Sequence, residues 1–207
     1  NATKRLAALG KYMFEENGYH GSRGDYYNRA NSYLNEVIDD REGIPITLSV
    51  LYMELARRLD LKIAGIGLPG HFVVAQLRGK NVSQLINVFE GGKLMTRKDA
   101  EDIVLNFVGI PLQDAHLEPV DNRSIIIRML RNLIGISNKN EPPEVVLRYL
   151  NTLLLLQPNS PQEHLNRALM HMQLKQNEKA KKDVRWLLDH NPPGFNRQRL
   201  LELFQRL

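Results

Sequence analysis

The chain has 207 residues, 43% hydrophobic and 25% charged, with a net charge of +5. That is the composition of an ordinary globular protein, long enough for one large domain or two small ones. It contains no cysteine, which excludes disulfides, thiolate metal sites and cysteine catalysis. No apolar run approaches the roughly 20 residues of a membrane span. The charge is uneven: residues 1–120 hold 14 Lys/Arg against 15 Asp/Glu, and residues 121–207 hold 14 against 8.

The chain opens Asn1-Ala2-Thr3-Lys4-Arg5-Leu6, without the charged-then-apolar layout of a signal peptide. The lack of an initiator Met points to a fragment. The expected location is the cytoplasm, or an organelle stroma or matrix if a transit segment has been removed upstream. Leu6, Leu9, Met13 and Phe14 share a face of a helix predicted from Thr3 to about Glu16. Residues 17–24 are a glycine-rich polar loop. Asn31 or Ser32 is placed to cap a second helix carrying Tyr33, Leu34, Val37 and Ile38, ending in Asp39-Asp40-Arg41-Glu42-Gly43.

The best-signalled helix comes third. Pro45 suits its first position, where a missing N–H costs nothing. Leu48, Leu51, Tyr52, Leu55, Ala56 and Leu59 follow the helical period, and Arg57 and Arg58 complement the dipole at its end. Three strands are predicted next, over 62–67, 71–77 and 84–89, divided by Leu68-Pro69-Gly70 and Gly79-Lys80-Asn81. After the turn at 90–93, residues 93–95 can pair again. Thr96 caps a helix reaching Phe107.

From about Ser124 the pattern is helical to the end. The segments are Ile125 to Leu133, Pro142/Pro143 to about Gln157, Ser160-Pro161 to about Lys175, Asn177 to about Asn191, and Asn196 to Leu207. Pro158 and Pro192 lie 34 residues apart, the period of a tetratricopeptide repeat. Ala168, Ala180 and Pro192 fall where that repeat wants small, small and proline. Arg167 and His171 stand where it is usually apolar or aromatic, so one complete degenerate repeat is expected with a partial one before it.

A helix start, then His71 on one strand, then Asn87 on the next is the order of a Cys-His-Asp hydrolase core. Three segments carry a family resemblance: Asp25-Tyr26-Tyr27-Asn28-Arg29-Ala30-Asn31-Ser32-Tyr33-Leu34-Asn35, Arg41-Glu42-Gly43-Ile44-Pro45-Ile46-Thr47-Leu48-Ser49, and Leu68-Pro69-Gly70-His71-Phe72. With them the chain resembles the SirB1 family over nearly its whole length. The resemblance implies an α+β fold: a transglutaminase-like (papain-like) core of helices and a small antiparallel sheet over 1–120, then an all-α tetratricopeptide-like domain over 121–207. The related core is also known in eukaryotic F-box proteins, and the family implies no settled activity. It places Pro45 at the catalytic Cys position, His71 at the catalytic His and Asn87 at the catalytic Asp. The chain departs from the family where Asn87-Val88 replaces the common Asp-Pro.

Pro45 has no nucleophilic atom. Thr47 and Ser49 lie two and four residues into the helix; at about 100° per residue they point elsewhere, Ser49 being nearest in rotation but a turn further along. His71 reads either as a base or ligand contact, or as a histidine held by its Pro-Gly turn and packed on the third helix. Asn87 can fix a His71 tautomer without stabilising imidazolium as a carboxylate does. Tyr26, Tyr27 and Asn31 line the same groove in the family pattern; equally, the tyrosines pack and Asn31 caps. The six histidines include no HExxH-type spacing, and His164 and His171 stand about 10 Å apart along one helix. No metal and no cofactor is therefore expected.

The leading expectation is a pseudo-transglutaminase: a non-catalytic interaction or regulatory module binding a protein or peptide. Its groove would be formed by Tyr26, Tyr27, Asn31, Thr47, Ser49 and His71, with the helical repeats as a second surface. One alternative is a hydrolase or acyl-transferase using Ser49 or Thr47 with His71. Another is a regulatory factor reaching nucleic acid through the basic C-terminal half, although that half shows no aromatic-interleaved binding motif. No membrane partner is expected, and the sequence leaves the oligomeric state open.

Overall fold

The computed structural model describes residues 2–137 and 141–207. The chain divides into two units, Asn1–Met129 and Leu130–Leu207. The division falls inside a helix, nine residues beyond the boundary at 120 suggested by the sequence.

In the first unit α1 (Ala2–Gly10) runs on into a π-helical segment, Lys11–Glu16, closed by the Asn17 N–H donating to the Tyr12 carbonyl. The predicted single helix thus changes register partway. Leu9 and Met13 remain on the buried face. β1 (His20–Gly21) then pairs in parallel with β2 (Glu42–Gly43). Between them lie a 3₁₀ turn, Arg29–Ser32, and α2 (Leu34–Asp40). Neither Asn31 nor Ser32 caps α2; Tyr33 occupies that position. The Asn31 amide instead donates to the Asp25 carbonyl at 2.8 Å, while Asn28 caps the 3₁₀ turn through the Ala30 N–H.

α3 (Pro45–Arg58) is the central helix, with Pro45 in its first turn as expected. Thr47 organises that end. Its hydroxyl accepts from the Ile44 N–H at 3.1 Å and donates to the Asn31 carbonyl at 2.7 Å. Leu48, Tyr52 and Ala56 then bury against Leu9, Met13, Val37, Val74, Ile86 and Val88. Burying a Leu, Ile, Val or Met side chain stabilises by about 1.5–3 kcal/mol.

β3 (Ile63–Ile66), β4 (Val73–Arg78), β5 (Asn81–Asn87), β6 (Lys93–Met95) and β7 (Pro119–Val120) make an antiparallel sheet of order β6-β5-β4-β3-β7. Alternation sorts its side chains. Val74 and Ile86 face α3, whereas Val73, Ala75 and Leu85 join Ile66, Leu68 and Met95 against α4 (Arg97–Val108). The expected Thr96 cap of α4 is present: its hydroxyl accepts from the Asp99 N–H, and the Asp99 carboxylate accepts from the Thr96 N–H. Gly109 ends the helix at φ +74°. α5 (Asn122–Ser137) sets Ile125 against Ile44, Ile46 and Phe72.

The second unit contains the end of α5, then α6 (Pro143–Leu156), α7 (Pro161–Gln173), α8 (Asn177–His190) and α9 (Arg197–Arg206). Asn177 is the first residue of α8 rather than its cap, which is Gln176. Ala168 and Ala180 are fully buried. Small side chains there let α7 and α8 approach closely. Beneath them lies a buried polar cluster. His164 Nδ1 is 2.7 Å from Asp183 and its Nε2 is 2.9 Å from the Pro158 carbonyl, and Arg167 forks onto the same carboxylate at 2.7 and 2.8 Å. Trp186 stacks between His164 and His190, with centroids 3.9 and 4.0 Å away. No helix among the described residues is long and apolar enough to cross a membrane.

Candidate functional site

His71 does not begin β4; it sits in the turn two residues before it. That turn needs Gly70, whose φ is +75°. The His71 N–H closes it onto the Leu68 carbonyl at 3.1 Å. β4 and β5 pair Val74 with Ile86. Continuing that register brings Asn87 opposite Val73, close to His71. His71 Nε2 accordingly lies 3.3 Å from Asn87 Oδ1. The amide oxygen can only accept, so the pair fixes the Nε2–H tautomer. Nδ1 then carries the lone pair.

The ring is enclosed by aromatics. Phe107 stacks on it, with centroids 5.9 Å and planes 16° apart, and Phe89 meets it edge-on at 6.1 Å. His71 is 7% exposed. Burial holds its pKa below the ordinary 6.5, opposed by the Asn87 hydrogen bond; the Arg128 charge acts with burial, and Glu90 against it. The imidazole is therefore neutral at pH 7, competent in principle to accept a proton at Nδ1. The aromatic row continues outward: Tyr26 meets Phe89 edge-on at 6.2 Å, and Tyr27 meets Tyr26 at 5.3 Å. Its two ends are open, Tyr27 being 77% and Phe107 66% exposed. Gly21 permits this packing, because a Cβ there would lie 2.5 Å from the Phe89 ring.

The other sequence-selected residues, Pro45, Thr47 and Ser49 among them, are buried. The Thr47 hydroxyl is committed to backbone, and Ser49 Oγ has no hydrogen-bond partner. Counting round the helix places both off the Pro45 direction, and the structure turns them into the core. Thr47 and Ser49 are thus withdrawn from the expected groove wall, as is Asn31, which is buried and tied to Asp25. Of the six residues, Tyr26, Tyr27 and His71 are the ones gathered by the aromatic row.

Three residues the sequence reading did not select complete the site. Phe89 and Phe107 were read as ordinary strand and helix positions. Arg128 of α5 donates through Nη1 and Nη2 to the Leu68 carbonyl, both at 3.1 Å, and through Nη2 to the His71 carbonyl at 2.7 Å. Its guanidinium also lies over Phe72, 5.5 Å from the ring centroid. The available signal was its place three residues after the buried Ile125, on an otherwise apolar face. Among the described residues no group of three His, Asp or Glu side chains is placed to hold a metal ion. A surface depression near Gln84, Met95, Arg97 and Leu117 shares no residue with the His71 surroundings.

The transglutaminase-like superfamily profile matches residues 1–131, the segment that holds α1 to β7 and most of the contacts around His71. A UPF0162 protein of Xylella fastidiosa (strain 9a5c) is 32% identical over 197 residues, covering 93% of this chain and 70% of that protein. A UPF0162 protein of Vibrio cholerae is 26% identical, covering 91% and 70%. F-box only protein 21 of Homo sapiens is 27% identical over 179 residues, which span 82% of this chain but 28% of that protein. No solved structure matches the chain. On the profile and the Xylella relative together, the chain belongs to the transglutaminase-like superfamily.

Proposed function

We propose that the protein is a SirB1-type pseudo-transglutaminase, a non-catalytic module that docks a protein or peptide along the aromatic row around His71. One observation carries the reading: the first position of α3 is a buried proline, and the hydroxyls that follow it, Thr47 and Ser49, are buried in the core. A nucleophile must reach both the base and the substrate. Thr47 spends its hydroxyl on the Asn31 carbonyl, and Ser49 is sealed from solvent. What remains is a neutral histidine oriented by an amide, set in an aromatic surface open at both ends. Exposed aromatic side chains of this kind suit partner binding.

The helical unit, in this reading, is a tetratricopeptide-like repeat. The 34-residue proline spacing and the small buried pair Ala168 and Ala180 support it. F-box only protein 21 carries related sequence within a much longer chain, which agrees with a module used beside others.

The test has two arms. Incubation with a fluorophosphonate probe is expected to leave the protein unlabelled; stoichiometric labelling at Ser49 or Thr47 would establish the hydrolase reading instead. In parallel, randomised N-acetylated hexapeptide pools are titrated while the NMR signals of His71, Tyr26 and Phe107 are followed. Saturable shifts at these residues are expected, and no shift with any pool would refute docking at this surface.

A further inference from the structure

Among the described residues, Arg128 forms no ion pair with a carboxylate. Its guanidinium has five N–H donors. Three are engaged by the carbonyls of Leu68 and His71, leaving the Nε–H and one Nη1–H. Burial pushes its pKa down and no acidic group offsets this; Tyr26 is the one group acting against it. Neutral carbonyls orient the fork but do not balance its charge. Arg128 is only partly buried, and Gly67 adds no side chain beside Nη1, which would otherwise have a Cβ 3.4 Å away.

A hydroxyl stands with it. The Tyr26 ring meets Phe89 at 6.2 Å and Phe89 meets His71 at 6.1 Å, while Arg128 binds the His71 carbonyl at 2.7 Å, so Tyr26 and Arg128 both border the His71 turn. Burial raises the pKa of Tyr26 and the Arg128 charge opposes that rise. No hydrogen bond to the Tyr26 hydroxyl is found among the described residues. The Arg128 fork and the Tyr26 ring thus lie on the surroundings of the one turn that holds His71. Glu90, the acid that acts on His71, pairs with Arg23 at 2.5 Å.

We infer that Arg128 and Tyr26 form a carboxylate-binding site beside His71, which takes the C-terminal or side-chain carboxylate of the docked peptide. This rests on the peptide-docking reading above. A single guanidinium with two spare donors and one phenol matches a monoanion, whereas a phosphate dianion would call for further cations. The backbone bonds from Arg128 to residues 68 and 71 hold the fork still, so little ordering entropy opposes binding. The exposed ring of Phe107 and the Tyr26–Phe89 pair supply apolar contact for the rest of the ligand.

The first arm of the experiment uses the wild-type protein. Three N-acetylated hexapeptide pools, randomised without Asp or Glu, are titrated against the wild type: free acid, C-terminal amide, and amide with one fixed Glu. The expected result is at least tenfold tighter binding of the free-acid pool, the Glu pool, or both over the plain amide, with shifts centred on Arg128 Nε and Tyr26. Which acidic pool wins identifies the source of the carboxylate. Equal affinity for acid, Glu and amide pools would overturn the inference while leaving peptide docking intact. Failure of all three pools would overturn both. In protein variants that keep the wild-type melting temperature, Tyr26→Phe and Arg128→Lys are expected to shrink the acid-over-amide preference several-fold; an unchanged preference in both would also overturn the assignment.

Discussion

Phe107 stacks on His71, rings 5.9 Å apart and nearly parallel, although two-thirds of Phe107 faces solvent. One side chain thus shields the imidazole at its own hydration cost. The charged form of His71 is disfavoured chiefly by burial, so its folded pKa lies below 6.5. On acidification the unfolded chain takes up this proton first. The contribution is complete above the unfolded value and is lost as pH falls from about 6.5 toward the folded pKa. An NMR titration of the His71 ring should show a midpoint below 6.5 in the wild type, and Phe107→Ala should move it upward. An unmoved midpoint would mean that other groups provide the desolvation.

Gly21 is predicted to be intolerant of even a methyl group. Its Cβ would meet the Phe89 ring at 2.5 Å, and Phe89 touches both His71 and Tyr26. Gly21→Ala should cost about 1–3 kcal/mol by overpacking, measured by urea denaturation, and should perturb His71 and Tyr26 resonances together.

Thr47 and Ser49 should respond oppositely. Thr47→Val keeps shape but removes the hydroxyl bonds to the Ile44 N–H and the Asn31 carbonyl, leaving the Ile44 N–H only its long 3.4 Å bond to the Asn31 carbonyl, at a cost of about 1–3 kcal/mol. Ser49→Ala removes a buried hydroxyl that has no partner, so unfolding free energy should stay level or rise by up to about 1 kcal/mol. A severe loss of stability in Ser49→Ala would show that its hydroxyl is satisfied by something else.

In the helical unit the sensitive residue is Asp183. Its carboxylate receives His164 and both arms of Arg167. Asp183→Ala strands the buried His164 and removes the carboxylate from the half-buried Arg167, and should destabilise that unit by about 3 kcal/mol. Differential scanning calorimetry should register the loss.

Elements with a chemical signature of their own were legible in the sequence. Pro45 announced α3, Thr96 with Asp99 announced α4, and Gly70 announced the turn that holds His71. The two-residue strands β1, β2 and β7 were not, because two residues carry no periodicity and pair through backbone alone. The site was only partly legible for a related reason. His71 and Asn87 could be paired from strand order, but Arg128 reaches them from 57 to 60 residues away from the carbonyls it binds, and nothing local to it reports that contact. Rotation about α3 showed that Thr47 and Ser49 leave the Pro45 direction. That the new direction was the core depended on the sheet packed beneath.

The reach of Arg128 also sets how the protein can be divided. A polypeptide ending at residue 120 keeps β1 to β7, yet it lacks Ile125, which packs with Phe72, and the guanidinium that closes the carbonyls of Leu68 and His71. Its hydrophobic floor and its turn would both be incomplete. The first half of α5 is therefore the lid of the preceding unit as much as the start of a helix, and a synthetic peptide spanning residues 119–137, supplied in trans, should restore such a truncated chain by fragment complementation.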